Sequence, residues 1–103
     1  MSLTRMILYE VTLQIEPSLA SAVAEHMRRR HIPAIFATGC FRRISFQQSS
    51  TQFYRTSYEA ASAIDLERYL REHASTFRAE FLSEFPSGVQ LTRETWQELE
   101  HWG

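Results

Sequence analysis

The sequence predicts an α+β fold of the ferredoxin-like type, with the element order β-α-β-β-α-β and a four-stranded antiparallel sheet that carries its helices on one face. Apolar and polar residues alternate in four separate segments, which is typical of strands. Two further segments have apolar residues at every third or fourth position, which is typical of helices. At 103 residues the chain has the length of one domain.

The first strand and the first helix are predicted at residues 6–15 and 17–30. One face of the strand carries Ile7, Tyr9, Val11, Leu13 and Ile15. Pro17 fits the first position of a helix, because its missing N–H would have no partner there. Three arginines at 28–30 predict the end of this helix, since cations stabilise the negative end of the helix dipole.

The next two strands are predicted at residues 40–48 and 52–58, as a hairpin. We expect Phe46, Tyr54 and Tyr58 to share one face of the hairpin. This requires each residue to lie opposite a partner of the same parity, so that the two residue numbers sum to an even number, as they do for Phe46 opposite Tyr54. The hairpin loop must then have an odd length, of three or five residues.

A second helical stretch is predicted from Ser62 to Pro86, and a final strand at residues 88–96. Ser62 and Asp65 resemble a capping box, with Asp in the place of the usual Glu. Ser75-Thr76 is a point at which the stretch could divide into two helices.

The predicted register gives the sheet two different faces. The helix-facing side is apolar and consists of Ile7, Tyr9, Val11, Leu13, Ile44, Phe46, Tyr54, Tyr58, Val89 and Leu91. The open side mixes apolar groups with both charge signs and consists of Leu8, Glu10, Thr12, Arg43, Phe53, Arg55, Glu94 and Trp96. Such a surface suits a contact between two sheets or a polar cavity better than free solvent. We therefore expect a homodimer formed through the open sheet face.

Composition excludes several classes of function. A net charge of −1 gives no general attraction for nucleic acid or anionic membranes, and no apolar run approaches the roughly 20 residues that span a bilayer. The single cysteine, Cys40, cannot form an internal disulfide, so a cytoplasmic location is expected. Residues 1–5 are interpreted as a leader or a frayed end ahead of Met6, and residues 6–103 as one ferredoxin-like domain.

Three segments resemble a known family: Ile7 to Thr12, Ala37 to Phe41, and Leu66 to Ala74 together with Arg78. The family consists of small, uncharacterised bacterial proteins, a domain of unknown function within the dimeric α/β-barrel superfamily. The resemblance implies that two ferredoxin-like protomers pack their open faces into a shared barrel. It implies no established activity, although distant relatives include cofactor-independent monooxygenases, dehydratases, decarboxylases and ligand binders.

Thr38 and Gly39 are candidate ligand-binding residues, because backbone N–H groups at such a turn can form an anion nest. The alternative is a glycine with positive φ at a strand entrance, and phosphate-loop patterns are absent. The arginines at 28–30, Arg42 and Arg43 suggest RNA binding, since RNA-recognition domains share this strand order. The segment 51–59 lacks their aromatic signature, so no nucleic-acid partner is expected.

The four histidines and the cysteine show no metal-ligand spacing, and neither a metal nor a cofactor is expected. His73 lies on the apolar stripe of the second helical stretch and is the candidate catalytic base. The alternative is a hydrogen-bonded, half-buried structural histidine.

Tyr58, Arg43 and Arg55 are the remaining candidate ligand-binding residues. The two arginines point to the open face, where they form either a carboxylate-binding cavity or interface ion pairs. The favoured function is a homodimeric small-ligand-binding or scaffold module. The alternative is a cofactor-independent enzyme of monooxygenase-like or isomerase type that acts on a small organic anion, with His73 as the base and Tyr58 or an arginine orienting the substrate.

Overall fold

The computed structural model describes residues 5–103, so most of the predicted leader, residues 1–4, lies outside the described part. The strands are β1 (Ile7–Ile15), β2 (Arg43–Ser50), β3 (Phe53–Ala60) and β4 (Val89–Gln97). The first helical run comprises a 3-10 turn (Pro17–Leu19), α1 (Ala20–His26), a π-helical turn (Met27–His31) and α2 (Ile32–Phe36). The second run comprises α3 (Ala63–Glu72) and α4 (Ala74–Glu84).

The strands form one antiparallel sheet in the order β2-β3-β1-β4, which is the ferredoxin-like arrangement. The predicted α+β fold class is therefore confirmed. Both faces also have the predicted membership. Thr12, for example, lies opposite Arg55 on one side and Thr92 on the other, and all three belong to the open face.

The predicted end of the first helix at residue 30 is wrong. The run continues through the three arginines to Phe36, and the next strand begins at Arg43 rather than at residue 40. The N–H of Ile32 donates to the carbonyl of Met27, five residues earlier, so one turn is wider than an α-helix. Pro33 follows directly. It has no backbone N–H to donate to the helix, and the wider turn interrupts the regular hydrogen-bond pattern at this point. The exposed arginines therefore mark a turn inside the helix.

The β2–β3 hairpin confirms the parity argument but not the specific pair. Regular pairing ends at Gln48 opposite Tyr54, with five residues between them, and a bulge follows in β2. Phe46 lies opposite Thr56 rather than Tyr54. The rings of Phe46 and Tyr54 still stack, with centroids 5.4 Å apart, because diagonal neighbours on one face lie within reach of aromatic side chains.

The second helical run begins as predicted and divides two residues earlier than the sequence suggested. Ser62 caps α3, since its Oγ accepts a hydrogen bond from the N–H of Asp65 at 3.4 Å. The division lies at His73, whose φ of −126° departs from helical geometry. Both helices pack on the same sheet face as the first run.

The core consists of two clusters, one toward each end of this face. One cluster joins Tyr9, Tyr58 and Ala60 of the sheet to Ile35 and Leu66 of the helices. The other cluster packs the far end of β1 against α1, the π-helical turn and α4, and includes Leu13, Val23, Met27 and Phe81. A cavity lies where the two clusters meet.

Candidate ligand-binding cavity

A cavity of about 40 Å³ lies between the sheet and the helices, which is room for a few water molecules. Three strands, β1, β3 and β4, and both helical runs contribute, because the cavity lies where the two core clusters meet. Its lining consists of Tyr9, Val11, Leu13, Met27, His31, Tyr58, Tyr69, Phe77, Arg78, Phe81, Leu91 and Arg93. The set is largely aromatic and aliphatic, with a few polar groups and no aspartate or glutamate.

Three tyrosines form one wall of the cavity. The ring of Tyr9 lies 5.9 Å from that of Tyr58 and 6.2 Å from that of Tyr69, measured between centroids. Burial raises the pKa of Tyr58 above its ordinary value, and burial together with Tyr9 raises the pKa of Tyr69 to about 12. The hydroxyls of Tyr58 and Tyr69 therefore stay protonated at neutral pH and can donate hydrogen bonds.

Two guanidinium groups also line the cavity. Arg78 comes from α4, and its Nη2 donates to the hydroxyl oxygen of Tyr9 at 3.0 Å. Arg93 comes from β4, where it lies opposite Val11 and so belongs to the helix-facing side. Within residues 5–103, neither group has a carboxylate oxygen within 4.0 Å. The cavity therefore carries positive charge with no protein counterion.

His31 completes the polar lining. Its ring lies edge-on to Phe77 and Phe81, with centroids 6.0 and 5.7 Å away. Burial is the largest cause that lowers the pKa of His31 to about 4, because it removes water from the charged ring, and repulsion from His26 and then Arg93 lowers it further. The imidazole is therefore neutral at physiological pH and keeps one nitrogen lone pair.

A comparison with protein-family models matches residues 6–99 to the domain of unknown function DUF4286. The chain belongs to this family. The match covers the whole sheet and both helical runs, in agreement with the resemblance that the sequence motifs indicated. A comparison with curated proteins finds no match.

Several solved structures share the DUF4286 chain's fold. A protein of unknown function from Nitrosomonas europaea aligns with a TM-score of 0.77 and 12% identity, over 96% of this chain and 94% of its own. The cofactor-independent oxygenase SnoaB from Streptomyces nogalater aligns with a TM-score of 0.67 and 10% identity, over 93% and 95%. A monooxygenase from Streptomyces coelicolor, solved with the ligand nanaomycin D, aligns with a TM-score of 0.65 and 13% identity, over 96% and 94%. At these identities the likeness establishes the fold alone.

Among the residues predicted from the sequence, Tyr58 lines the cavity. His73 does not: it is half-buried where α3 meets α4, with its Nε2 3.9 Å from an oxygen of Glu72. Arg43 and Arg55 lie on the open face, as expected, and the Nε of Arg55 donates to Gln47 Oε1 at 2.7 Å. The structure thus separates the predicted base from the predicted arginines by the thickness of the sheet.

Thr38 and Gly39 lie in the loop after α2, away from the cavity lining. Gly39 has a φ of +76°, as the positive-φ alternative required. The hydroxyl of Thr38 donates to the carbonyl of Ile35 at 2.6 Å, and Arg68 Nη2 donates to the carbonyl of Gly39 at 3.2 Å. These contacts tie the loop to α2 and α3.

Sequence reasoning missed His31, Arg78 and Arg93 as cavity residues. A signal for Arg93 existed, since the alternation of Val89 and Leu91 continues to it and places an arginine on an apolar face. No helix within residues 5–103 combines the length and apolar character that a membrane crossing requires. Within the same residues, no three His, Cys, Asp or Glu side chains gather as a metal site would need.

Proposed function

We propose that this DUF4286 protein is a homodimer that binds a small organic anion in the cavity between the sheet and the helices. The observation that carries the proposal is the pair of guanidinium groups, Arg78 and Arg93, which line an aromatic cavity without a carboxylate. Within residues 5–103 neither guanidinium group is paired with a carboxylate, so both are available for charge-assisted hydrogen bonds to a bound anion.

The lining also supports a class of ligand. Guanidinium groups recognise carboxylates and related oxyanions through paired hydrogen bonds. The walls of Phe77, Phe81 and the tyrosines favour a flat apolar body behind the anionic group. At about 40 Å³ the cavity must widen for such a ligand. Arg78 and Arg93 are largely exposed and Phe77 is half-buried, so these side chains can move without unpacking the core.

Calorimetric titration with benzoate tests the proposal, with benzamide as the uncharged counterpart. We expect binding of benzoate but not of benzamide. Arg93→Gln should weaken benzoate binding about 10- to 100-fold, since a hydrogen bond to a charged group contributes roughly 1.5–3 kcal/mol. Arg71→Gln, an exposed arginine on α3 outside the cavity, is the matched control and should bind normally.

Two other results would contradict the cavity as the site. Loss of benzoate binding in Arg55→Gln but not in Arg93→Gln would place the ligand on the open face, as the sequence suggested. Absence of charge-dependent binding in the unmodified protein would leave a scaffold role.

The open sheet face supports the homodimer. Glu10 and Glu94 lie directly opposite each other across β1 and β4, and like charges in that position repel. Within residues 5–103, neither has a cation within 4.0 Å. Arg43 and Arg55 lie on the same face, so a second copy can bring arginines to the carboxylates. Trp96, which is 52% exposed, would be covered by the same contact.

Cofactor-independent oxygenation is a second candidate function, because SnoaB shares the fold along most of the chain. In this reading His31, rather than His73, holds the position of the base, and Tyr58, Arg78 and Arg93 stabilise the substrate anion. The test is oxygen consumption by the chelator-treated protein with phenolic substrates, compared with His31→Gln. A rate unchanged in that variant would exclude His31 as the base.

A cytoplasmic location is proposed on the single, buried and unpaired Cys40.

A further inference from the structure

His26 and His31 form an unusual pair within the first helical run. Residues five apart in an α-helix lie about 140° apart around the axis, so their side chains point in different directions. The π-helical turn between these two residues brings their rings to 6.0 Å between centroids. π-Helical turns often occur at functional sites, because the widened turn redirects side chains.

Both imidazoles have a ring nitrogen without a hydrogen-bond partner among the described residues. His26 is 8% exposed, and its Nε2 is buried and unpaired. The Nδ1 of His31 is likewise buried and unpaired. Leaving a buried polar atom unpaired is destabilising, and two such atoms in neighbouring rings are uncommon in a folded domain. This arrangement indicates that the pair serves a ligand or a proton.

The pair extends from the cavity to the surface. His31 lines the cavity, while His26 lines a separate surface cleft together with Glu25, Arg29, Arg30 and Glu84. The titratable and charged groups that share the cavity with His31 or contact it are His26, Tyr9 of β1, Tyr58 of β3, Tyr69 of α3, Arg78 of α4 and Arg93 of β4. None of these groups is a carboxylate, so His31 lacks the partner that would keep it protonated.

We propose that the His26–His31 pair takes up one proton when an organic anion enters the cavity, so that the protein binds a weak acid as an anion beside a protonated imidazole. If the acid arrives protonated, its O–H bond breaks and an N–H bond forms on His31, while the electron pair stays on the ligand oxygen. If it arrives ionised, the proton comes from solvent, and the cleft at His26 provides the route. The inference rests on the proposed function, because it needs an anion in the cavity.

The electrostatics of the cavity support this coupling. In the free protein, Arg93 and His26 both disfavour a charge on His31. An anion within about 4–6 Å acts in the opposite direction and raises the pKa of an imidazole by about 1–3. The bound anion thereby converts the neutral imidazole of His31 into a third cation, beside Arg78 and Arg93. Weak acids such as carboxylic acids, enols and phenols are the ligand class that can exchange a proton in this way.

Titration of the imidazole C–H resonances by NMR tests the inference, in the free protein and in protein saturated with benzoate. We expect benzoate to raise the pKa of His31 by about 2, and benzamide at the same concentration to leave it unchanged. Benzoate affinity should also rise about tenfold between pH 7 and pH 5 in the unmodified protein. The rise should disappear in His31→Gln, which keeps a hydrogen-bonding side chain that does not titrate.

The outcomes separate this inference from the proposed function. Benzoate binding that depends on Arg93 and leaves the pKa of His31 unchanged would overturn the proton uptake alone. Failure of benzoate to bind the unmodified protein would overturn both. The resonance titration uses the unmodified chain, so the test does not depend on whether the His31→Gln variant folds.

Discussion

His31 is the side chain in which burial, charge and position combine most directly. It lies beside Arg93 and His26 in a partly apolar cavity, and all of these conditions favour the neutral ring. An imidazole in water has a pKa near 6.5, whereas His31 in the free, folded protein stays neutral down to about pH 4.

The stability of the protein should depend on pH through His31. Between about pH 6.5 and pH 4 the unfolded chain binds a proton at this residue and the folded chain does not, so the free energy of unfolding falls as the pH falls. The pKa difference corresponds to about 2–3 kcal/mol, with allowance for partial exposure. Urea unfolding at pH 7.5 and pH 4.5 measures it.

His31→Gln should remove most of that pH dependence, and His101→Gln, at an exposed position in the C-terminal tail, should not. Equal pH dependence in His31→Gln and the unmodified protein would contradict the assignment.

The sequence could predict Tyr58 as a cavity residue because strand periodicity fixes which face a residue occupies. Helical residues were harder to place. The direction in which His31 points depends on one widened turn, and periodicity of three or four residues does not report such a turn. Arg78 lies on α4, whose orientation follows from the division at His73 rather than at Ser75-Thr76.

At the scale of elements, two glycines with positive φ lie in the loops that follow the two helical runs. Gly39 has a φ of +76° with no heavy atom within 4 Å of where a Cβ would lie. Gly88 has a φ of +85°, and a Cβ there would lie 2.5 Å from Leu19 Cδ1 and 3.0 Å from Glu16 Oε2. The turn before β4 is thus packed against the start of the first helical run.

Replacing each glycine with alanine should separate backbone strain from crowding. Gly39→Ala should destabilise the fold by about 1–2 kcal/mol, the usual free energy of a left-handed conformation for a residue with a Cβ. Gly88→Ala should destabilise it further, because Leu19 and Glu16 must also shift. Chemical denaturation of both variants gives the comparison. Equal losses would show that the contact at Gly88 relaxes freely.

The fold class and the membership of both sheet faces were predictable from the sequence, since alternation in β1 and the hairpin parity constrain them together. The boundaries of the first helical run were not. The arginines at 28–30 favour a C-terminus by their charge, but the π-helical turn allows the run to continue past them into Pro33. Local charge was a weaker determinant than the burial of Ile35, which packs against the sheet.

At the scale of the whole molecule, the open face predicts a charge-dependent dimer. Glu94→Arg places a cation where a partner's arginine should lie and should weaken dimerisation at least tenfold in analytical ultracentrifugation. The double variant Glu94→Arg with Arg55→Glu restores opposite signs and should recover much of the affinity. Glu80→Arg, an exposed residue on α4, is the matched control. An equally strong dimer in all variants would place the subunit contact elsewhere.

Arg78 and Arg93, which have no carboxylate partner in the described part of the chain, have a consequence for the response to salt. Mobile ions screen charges over about 8 Å at physiological ionic strength, and here they would screen a repulsion rather than an attraction. Dissolved chloride or sulfate should therefore make the ligand-free protein harder to unfold, and the gain should shrink once a ligand has neutralised those two groups.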